Sequence, residues 1–203
     1  MTAILKARTS QKRAREIMGR NFFGVEEAIQ HFGFNPTKPQ LVALAEIPLT
    51  EAELIEKKDS HILVAVFPIS ILEIRGKVQR QLFYVHEKAW YNNEAFANEK
   101  GDASWQLVQK TPVADSTSDI GKALTARVMV YAIIGHYLVT GERLIQRTFV
   151  RSSDISASGG LVHVGPFELN GPVNGLVVDS RGDDCGCHCG DGCRAGAVDS
   201  CWF

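Results

Sequence analysis

The sequence predicts an α+β fold, because helical and strand-like patterns occupy different stretches of the chain. Apolar residues recur at helical spacing across 10–58, whereas 61–68 is a continuous apolar and β-branched run typical of a buried strand. A strongly apolar segment at 123–139 predicts a central helix. The chain has 203 residues, 45% hydrophobic and 22% charged, so it is long enough to bury a core and is not typical of a disordered protein.

Residues 1–59 predict a helical N-terminal unit. One apolar helical pattern in this unit ends at Gly33, which is the residue type that most often follows a helix C-terminus. Thr50 is followed three residues later by Glu53, which is the pattern of a capping box. That pattern predicts the start of a further helix over 51–58.

The pattern changes at residue 60, and 60–203 is predicted to be a second unit that contains the strands. These strands are expected at 61–68, 69–74, 82–85, 105–108, 148–151, 161–164 and 175–178. The helix at 123–139 is apolar nearly all round and is followed by Gly141, so we expect it to end there and to be enclosed on most sides. We expect His136 within it to be a hydrogen-bonded core residue.

The C-terminal part of the chain differs in composition from the rest. All five cysteines lie in the last nineteen residues, whereas the bridges of a disulfide-stabilised secreted domain would be spread through the fold. From 169 to 201 there is no Lys, Glu, Gln, Met or Trp, although these types supply 36 of the first 168 residues. None of the five missing types has a codon that ends in C. All the types that are present do have one.

This tail, GLVHVGPFELNGPVNGLVVDSRGDDCGCHCGDGCRAG, resembles the variable region of a diversity-generating retroelement target protein. In that family a reverse transcriptase randomises adenines, often in AAC codons, which scatters the outcomes over codons that end in C. The segments NFFGVEEAIQHFG, HILVAVFPISILEIRGK, YNNEAFANEKGDASWQLVQKTPV and ARVMVYAIIGHYLVTGERL resemble hypothetical proteins of small-genome bacteria and archaea. In the family pattern a Trp precedes the paired aspartates and an Arg follows them. Here Gly182 and Gly186 stand at those two positions.

The resemblance implies a C-type-lectin-like domain, in which two helices pack against small antiparallel sheets, with a variable region at about 160–203. It also implies ligand binding through a diversified surface held by a rigid scaffold. The expected binding residues are His163, Pro166, Asn174, Val177, Asp179, Ser180, Arg181, Cys185, Cys187, His188, Cys189, Asp191, Cys193 and Arg194. Alternation along the strands predicts that Val162, Val164, Phe167 and Val178 point inward.

The alternative interpretation is a small zinc-binding protein. Thiolate and imidazole groups are the ligands that zinc prefers, and the tail offers Cys185, Cys187, His188, Cys189 and Cys193. Structural zinc sites use pairs of ligands two to four residues apart, joined by a longer loop. The alternate spacing of the first three cysteines departs from that pattern, so randomised sequence is the preferred interpretation and no metal or other cofactor is expected.

The remaining patterns do not predict an enzyme, because no nucleophile motif, phosphate-binding loop or pair of catalytic carboxylates stands out. The partner is expected to be an unidentified protein or other macromolecule. Two observations argue against nucleic acid as the partner. The formal net charge is −1, and the basic residues near the N-terminus lack interleaved aromatic residues. No apolar run is long enough to span a bilayer, and the lack of a signal-peptide pattern predicts a cytoplasmic protein, with surface display left open.

Overall fold

A computed structural model describes residues 8–84, 89–110, 124–169 and 174–181, and within these ranges the fold is mixed α+β. The helices are α1 (Gln11–Met18), α2 (Val25–Phe32), α3 (Lys38–Ala43), α4 (Glu51–Lys57), α5 (Ile71–Lys77), α6 (Ala95–Asn98) and α7 (Ala126–Thr140). The strands are β1 (Thr9–Ser10), β2 (Phe22–Phe23), β3 (Glu46–Ile47), β4 (His61–Val66), β5 (Ser104–Gln109), β6 (Val150–Ile155), β7 (Leu161–Glu168) and β8 (Gly175–Arg181). None of the described helices is long and apolar enough to cross a membrane.

The strands form three small sheets. Strands β1 and β3 pair in an antiparallel ribbon, and β2, β4 and β5 form a mixed sheet in which β2 runs parallel to β4. Strands β6, β7 and β8 form a fully antiparallel C-terminal sheet. The C-terminal sheet carries the described part of the predicted binding region.

The helices predicted before residue 60 are confirmed, and they share one core with the rest of the chain. Gly33 ends α2 in the left-handed conformation, and the capping box that involves Thr50 starts α4. The Phe23 ring lies edge-on to the Tyr131 ring of α7 at a centroid distance of 5.8 Å. Apolar side chains from both sides of the expected 59/60 boundary therefore belong to one hydrophobic cluster.

Helix α7 is the central element of this core. It is buried from Ala126 to His136, in agreement with its apolar sequence, and it ends at Gly141 in the left-handed conformation. The Tyr131 hydroxyl donates a hydrogen bond to the Ala65 carbonyl of β4 at 2.8 Å, and burial raises the pKa of that hydroxyl. The Asp154 carboxylate of β6 accepts a hydrogen bond from the Ala126 amide, which joins the N-terminus of α7 to the C-terminal sheet.

The prediction of a strand at 69–74 is wrong, because this segment starts helix α5. The Ser70 hydroxyl accepts a hydrogen bond from the Glu73 amide at 3.1 Å, and the Glu73 carboxylate accepts one from the Ser70 amide at 3.0 Å. This capping box satisfies two amides that have no partner within the helix. Ile71 and Ile74 are then three residues apart on one buried face, so a helix buries the apolar run as well as a strand would.

The weaker strand prediction at 82–85 is also not met where the structure describes it. Leu82 ends a 3₁₀ turn, and Phe83 forms an isolated bridge to Leu176 of β8. The Tyr84 amide donates to the Leu176 carbonyl at 3.0 Å. This segment therefore covers the edge of the C-terminal sheet without becoming a strand. The strand predicted at 105–108 is confirmed as part of β5.

Candidate functional site

One face of the C-terminal sheet is buried at its centre. Val162, Val164 and Phe167 of β7 are all 0% exposed, and so is Leu176 of β8. Val178 is 4% exposed, and the Trp90 indole nitrogen donates to its carbonyl at 2.9 Å. The predicted inward orientation of the β7 valines, Phe167 and Val178 is therefore confirmed. This face packs toward α7, where the Phe167 and Tyr137 rings meet edge to face at 5.2 Å.

A β-bulge keeps Val164 and Phe167 of β7 on the same buried face, although they are three residues apart. Val164 pairs with Val178 and Phe167 pairs with Leu176, so three steps on β7 match two steps on β8. The extra residue falls at Gly165, whose φ of 111° is strained for any residue with a side chain. A Cβ at that position would lie 2.4 Å from the Thr148 carbonyl oxygen. The bulge therefore needs glycine at this position.

The opposite face of the C-terminal sheet carries a polar row in register across all three strands. Arg151 of β6 pairs with His163 of β7, and His163 pairs with Asp179 of β8. All three residues are half-buried. We call this surface the outer face. Val177, whose strand neighbours are buried on the inner side, also belongs to it and is half-buried. Of the other predicted binding residues, Pro166 is half-buried and Asn174 is exposed.

Ser180 does not belong to the outer face, although the resemblance includes it among the binding residues. It pairs with Val162, so it lies on the same side of the sheet as the buried row. Its hydroxyl donates to the Ser156 hydroxyl at 3.1 Å, in the turn between β6 and β7. Arg181 pairs with Leu161 at the end of the sheet.

The other predicted binding residues lie outside the described ranges. They are Cys185, Cys187, His188, Cys189, Asp191, Cys193 and Arg194. The zinc alternative uses five of these positions, so the geometry bears on neither interpretation of them. Among the residues that the structure does describe, no group of three or more His, Cys, Asp or Glu side chains is placed to hold a metal ion.

The sequence did not single out Arg151, although it stands at the end of a strand predicted at 148–151. A signal was present, because Val150 and Arg151 alternate as apolar and polar neighbours do on a half-buried strand. The pairing of Arg151 with His163 depends on the register of β6 and β7, which shifts between Arg151 and Ile155. That register cannot be read from either strand alone.

His136 is 2% exposed, which confirms its predicted position in the core but not the predicted hydrogen bonding. Its Nε2 atom lies 3.5 Å from a Glu142 carboxylate oxygen and has no hydrogen-bond partner among the described residues. Glu142 is held from the other side by the Arg20 guanidinium. Burial lowers the pKa of His136 and outweighs the opposing effect of Glu142, while the charges of Lys110 and Arg20 lower it further.

Replacing His136 with Gln is expected to flatten the dependence of the free energy of unfolding on pH below about 6.5. The folded pKa is lowered, so as the pH falls the unfolded chain takes up a proton that the folded chain does not. The stability that the neutral His136 supplies above that pH is therefore lost during acidification. Urea unfolding at several pH values between 8 and 5 would measure the two slopes, and equal slopes would contradict this account.

No family model, no curated protein and no solved structure matches this chain. The candidate site is therefore defined by its own geometry, which consists of a buried inner row, a bulge that keeps this row continuous, and an accessible outer face.

Proposed function

We propose that this protein binds macromolecular ligands through the outer face of its C-terminal sheet, and that a diversity-generating retroelement varies that face. The observation that carries the proposal is the separation of the two faces within the stretch of unusual composition. The buried row of β7 and β8 contains only apolar residues at its centre, whereas the outer face carries His163, Asp179 and Val177. Neighbouring positions of one strand therefore differ in what they must do: one must stay apolar to fill the core, and the next is free to vary.

A surface of this kind tolerates variation, because contacts on the inner face hold its backbone. The hydrogen bonds that His163 and Asp179 make to the backbone stay within their own strands. The inner row is anchored on α7 by Phe167, and β8 is anchored by the hydrogen bonds from Trp90 and Tyr84. Substitutions at exposed positions away from such anchors usually change stability by less than about 0.5 kcal/mol. The outer face is accordingly free to change its chemistry while the fold persists.

The chemistry of the outer face suits a protein ligand. Arg151, His163 and Asp179 place groups of both charge signs in one row, and Val177 adds an apolar contact beside them. Arginine flanked by apolar surface is typical of the residues that dominate protein–protein binding energy. The C-type-lectin-like arrangement is part of the proposal. The antiparallel C-terminal sheet packed on α7 supports it, whereas the additional helices and the parallel β2–β4 pair go beyond the implied two helices and antiparallel sheets.

Sequencing the DNA that flanks the gene tests the proposal. We expect a second, near-identical copy of the codons for 160–203 that differs from the gene only where the copy has adenine. The differences should fall on the codons of the outer face, such as His163 and Asp179, and on the codon of the exposed Asn174. The codons of the buried row should be identical in both copies, because a changed residue there would damage the core.

The codons for β4, at 61–66, are the matched control, since they encode an equally buried strand outside the variable region. They should have no second copy. Natural variants that differ only at outer-face codons should unfold within about 1 kcal/mol of one another. A missing copy, or differences spread evenly over the buried and outer codons, would contradict the proposal.

A further inference from the structure

A cleft of about 370 Å³ lies beside the C-terminal end of α7, away from the positions assigned to ligand binding. It is lined by Lys110 at the end of β5 and by the loop that follows α7, including Glu142, Arg143, Leu144, Ile145 and Thr148. This volume is within the range of clefts that hold small organic molecules. None of the lining residues belongs to the stretch 160–203, so variation of the outer face would leave the cleft unchanged.

The charges of the described residues around the cleft do not balance. Among the described residues that line it, Glu142 is the only carboxylate, and the Arg20 guanidinium already holds it in an ion pair. None of the ion pairs formed within the described ranges involves the Lys110 ammonium or the Arg143 guanidinium. The C-terminus of α7 contributes about half a negative charge, which two cations more than compensate. The described residues around the cleft therefore have a positive charge balance, which favours an anion.

The backbone of the loop is held in one conformation before any ligand binds. Ile145 has a φ of 57°, which is strained for a β-branched residue and persists only where the surroundings enforce it. The Phe167 amide donates to the Ile145 carbonyl at 2.8 Å, and the bulge at Gly165 leaves room for the Thr148 carbonyl. A loop attached in this way to a buried strand loses little entropy on binding.

We propose that this cleft is a binding site for a small organic anion that carries a phosphate or carboxylate group. Arg143 and Lys110 bind the anionic group, since guanidinium and ammonium donors form the strongest hydrogen bonds with such oxygens. The Thr148 hydroxyl is a further donor at the cleft wall, and the partly exposed Ile145 side chain contacts the apolar part of the ligand. The site is independent of the outer face and of its diversification.

Two probes with the same ring, phenyl phosphate and benzoate, test the proposal and distinguish the two anionic groups. Each would be titrated into the full ¹⁵N-labelled chain at constant ionic strength, because added salt alone screens surface charges. We expect saturable shifts of the amides at 142–148 with at least one probe, and the tighter probe identifies the preferred group. Saturation with neither probe would overturn the proposal.

The loop offers a matched control variant. Arg147 is an exposed cation four residues beyond Arg143 and does not line the cleft. Arg143→Gln is expected to weaken binding at least about tenfold, because it removes a hydrogen bond between charged groups, whereas Arg147→Gln should change it by less than about twofold. Lys110→Gln tests the second cation separately. Equal weakening by Arg143→Gln and Arg147→Gln would show unspecific attraction and would overturn the proposal.

Discussion

Replacing Phe167 with Ala is expected to lower the free energy of unfolding by about 3–5 kcal/mol. The ring is fully buried, packs edge to face on Tyr137 of α7, and stands opposite Leu176 in the C-terminal sheet. Its removal loses the transfer free energy of a large apolar side chain and leaves a cavity that the anchored strands fill only in part. Urea unfolding followed by circular dichroism measures the change.

The control for this prediction is a pair of neighbouring valines on β8. Val178 belongs to the buried row and Val177 to the outer face, so Val178→Ala and Val177→Ala remove the same atoms from opposite sides of one strand. We expect a loss of about 2 kcal/mol for Val178→Ala and under about 1 kcal/mol for Val177→Ala. Equal losses at the two positions would contradict the assignment of the faces, and with it the proposed binding surface.

Replacing Gly175 with Ala is expected to destabilise the protein by about 3–5 kcal/mol, although only one methyl group is added. Gly175 starts β8 with a φ of 112°, a conformation essentially restricted to glycine. A Cβ there would lie 2.3 Å from the Phe83 carbonyl carbon and 2.4 Å from the Tyr84 nitrogen. Because both are backbone atoms, the clash is relieved only if the segment before residue 85 moves away from β8.

Gly159→Ala is the matched variant, because Gly159 also has a positive φ, of 87°, but a Cβ there would meet no atom within 4 Å. It carries the conformational strain without the clash, so we expect a loss of about 1–2 kcal/mol. Thermal unfolding of both variants separates the two causes. A Gly175→Ala variant as stable as Gly159→Ala would show that the contact between β8 and the segment at Phe83 contributes nothing.

Local sequence patterns predicted those helices and strands whose stability depends mainly on residues close to them along the chain. The apolar run that forms α7, the glycine at its end and the capping box of α4 all act within a few residues. The same holds for the alternation of β7 and β8, since side chains on a strand face opposite sides in any sheet. The inward row could therefore be predicted without knowledge of what it packs against.

Local patterns gave a wrong prediction where the same residues are compatible with two kinds of local structure. The run at 69–74 is apolar enough for a buried strand, and the capping box at Ser70 decides for a helix by hydrogen-bonding amides that a strand would pair with a neighbour. Ser180 shows the same limit on a smaller scale. The resemblance includes it among the binding residues, but the register places it opposite the buried Val162.

The sequence by itself determined the α+β class, the main helix, the buried row of the C-terminal sheet and the unusual composition of the region that carries the outer face. Only the tertiary structure decided that Arg151, His163 and Asp179 form one row, and that Lys110 and Arg143 share one cleft. The physical reason is the range of the interactions. Helix caps and alternation act between near neighbours, whereas a row across three strands and a cleft between distant segments exist only after packing of the core has set the register and brought those segments together.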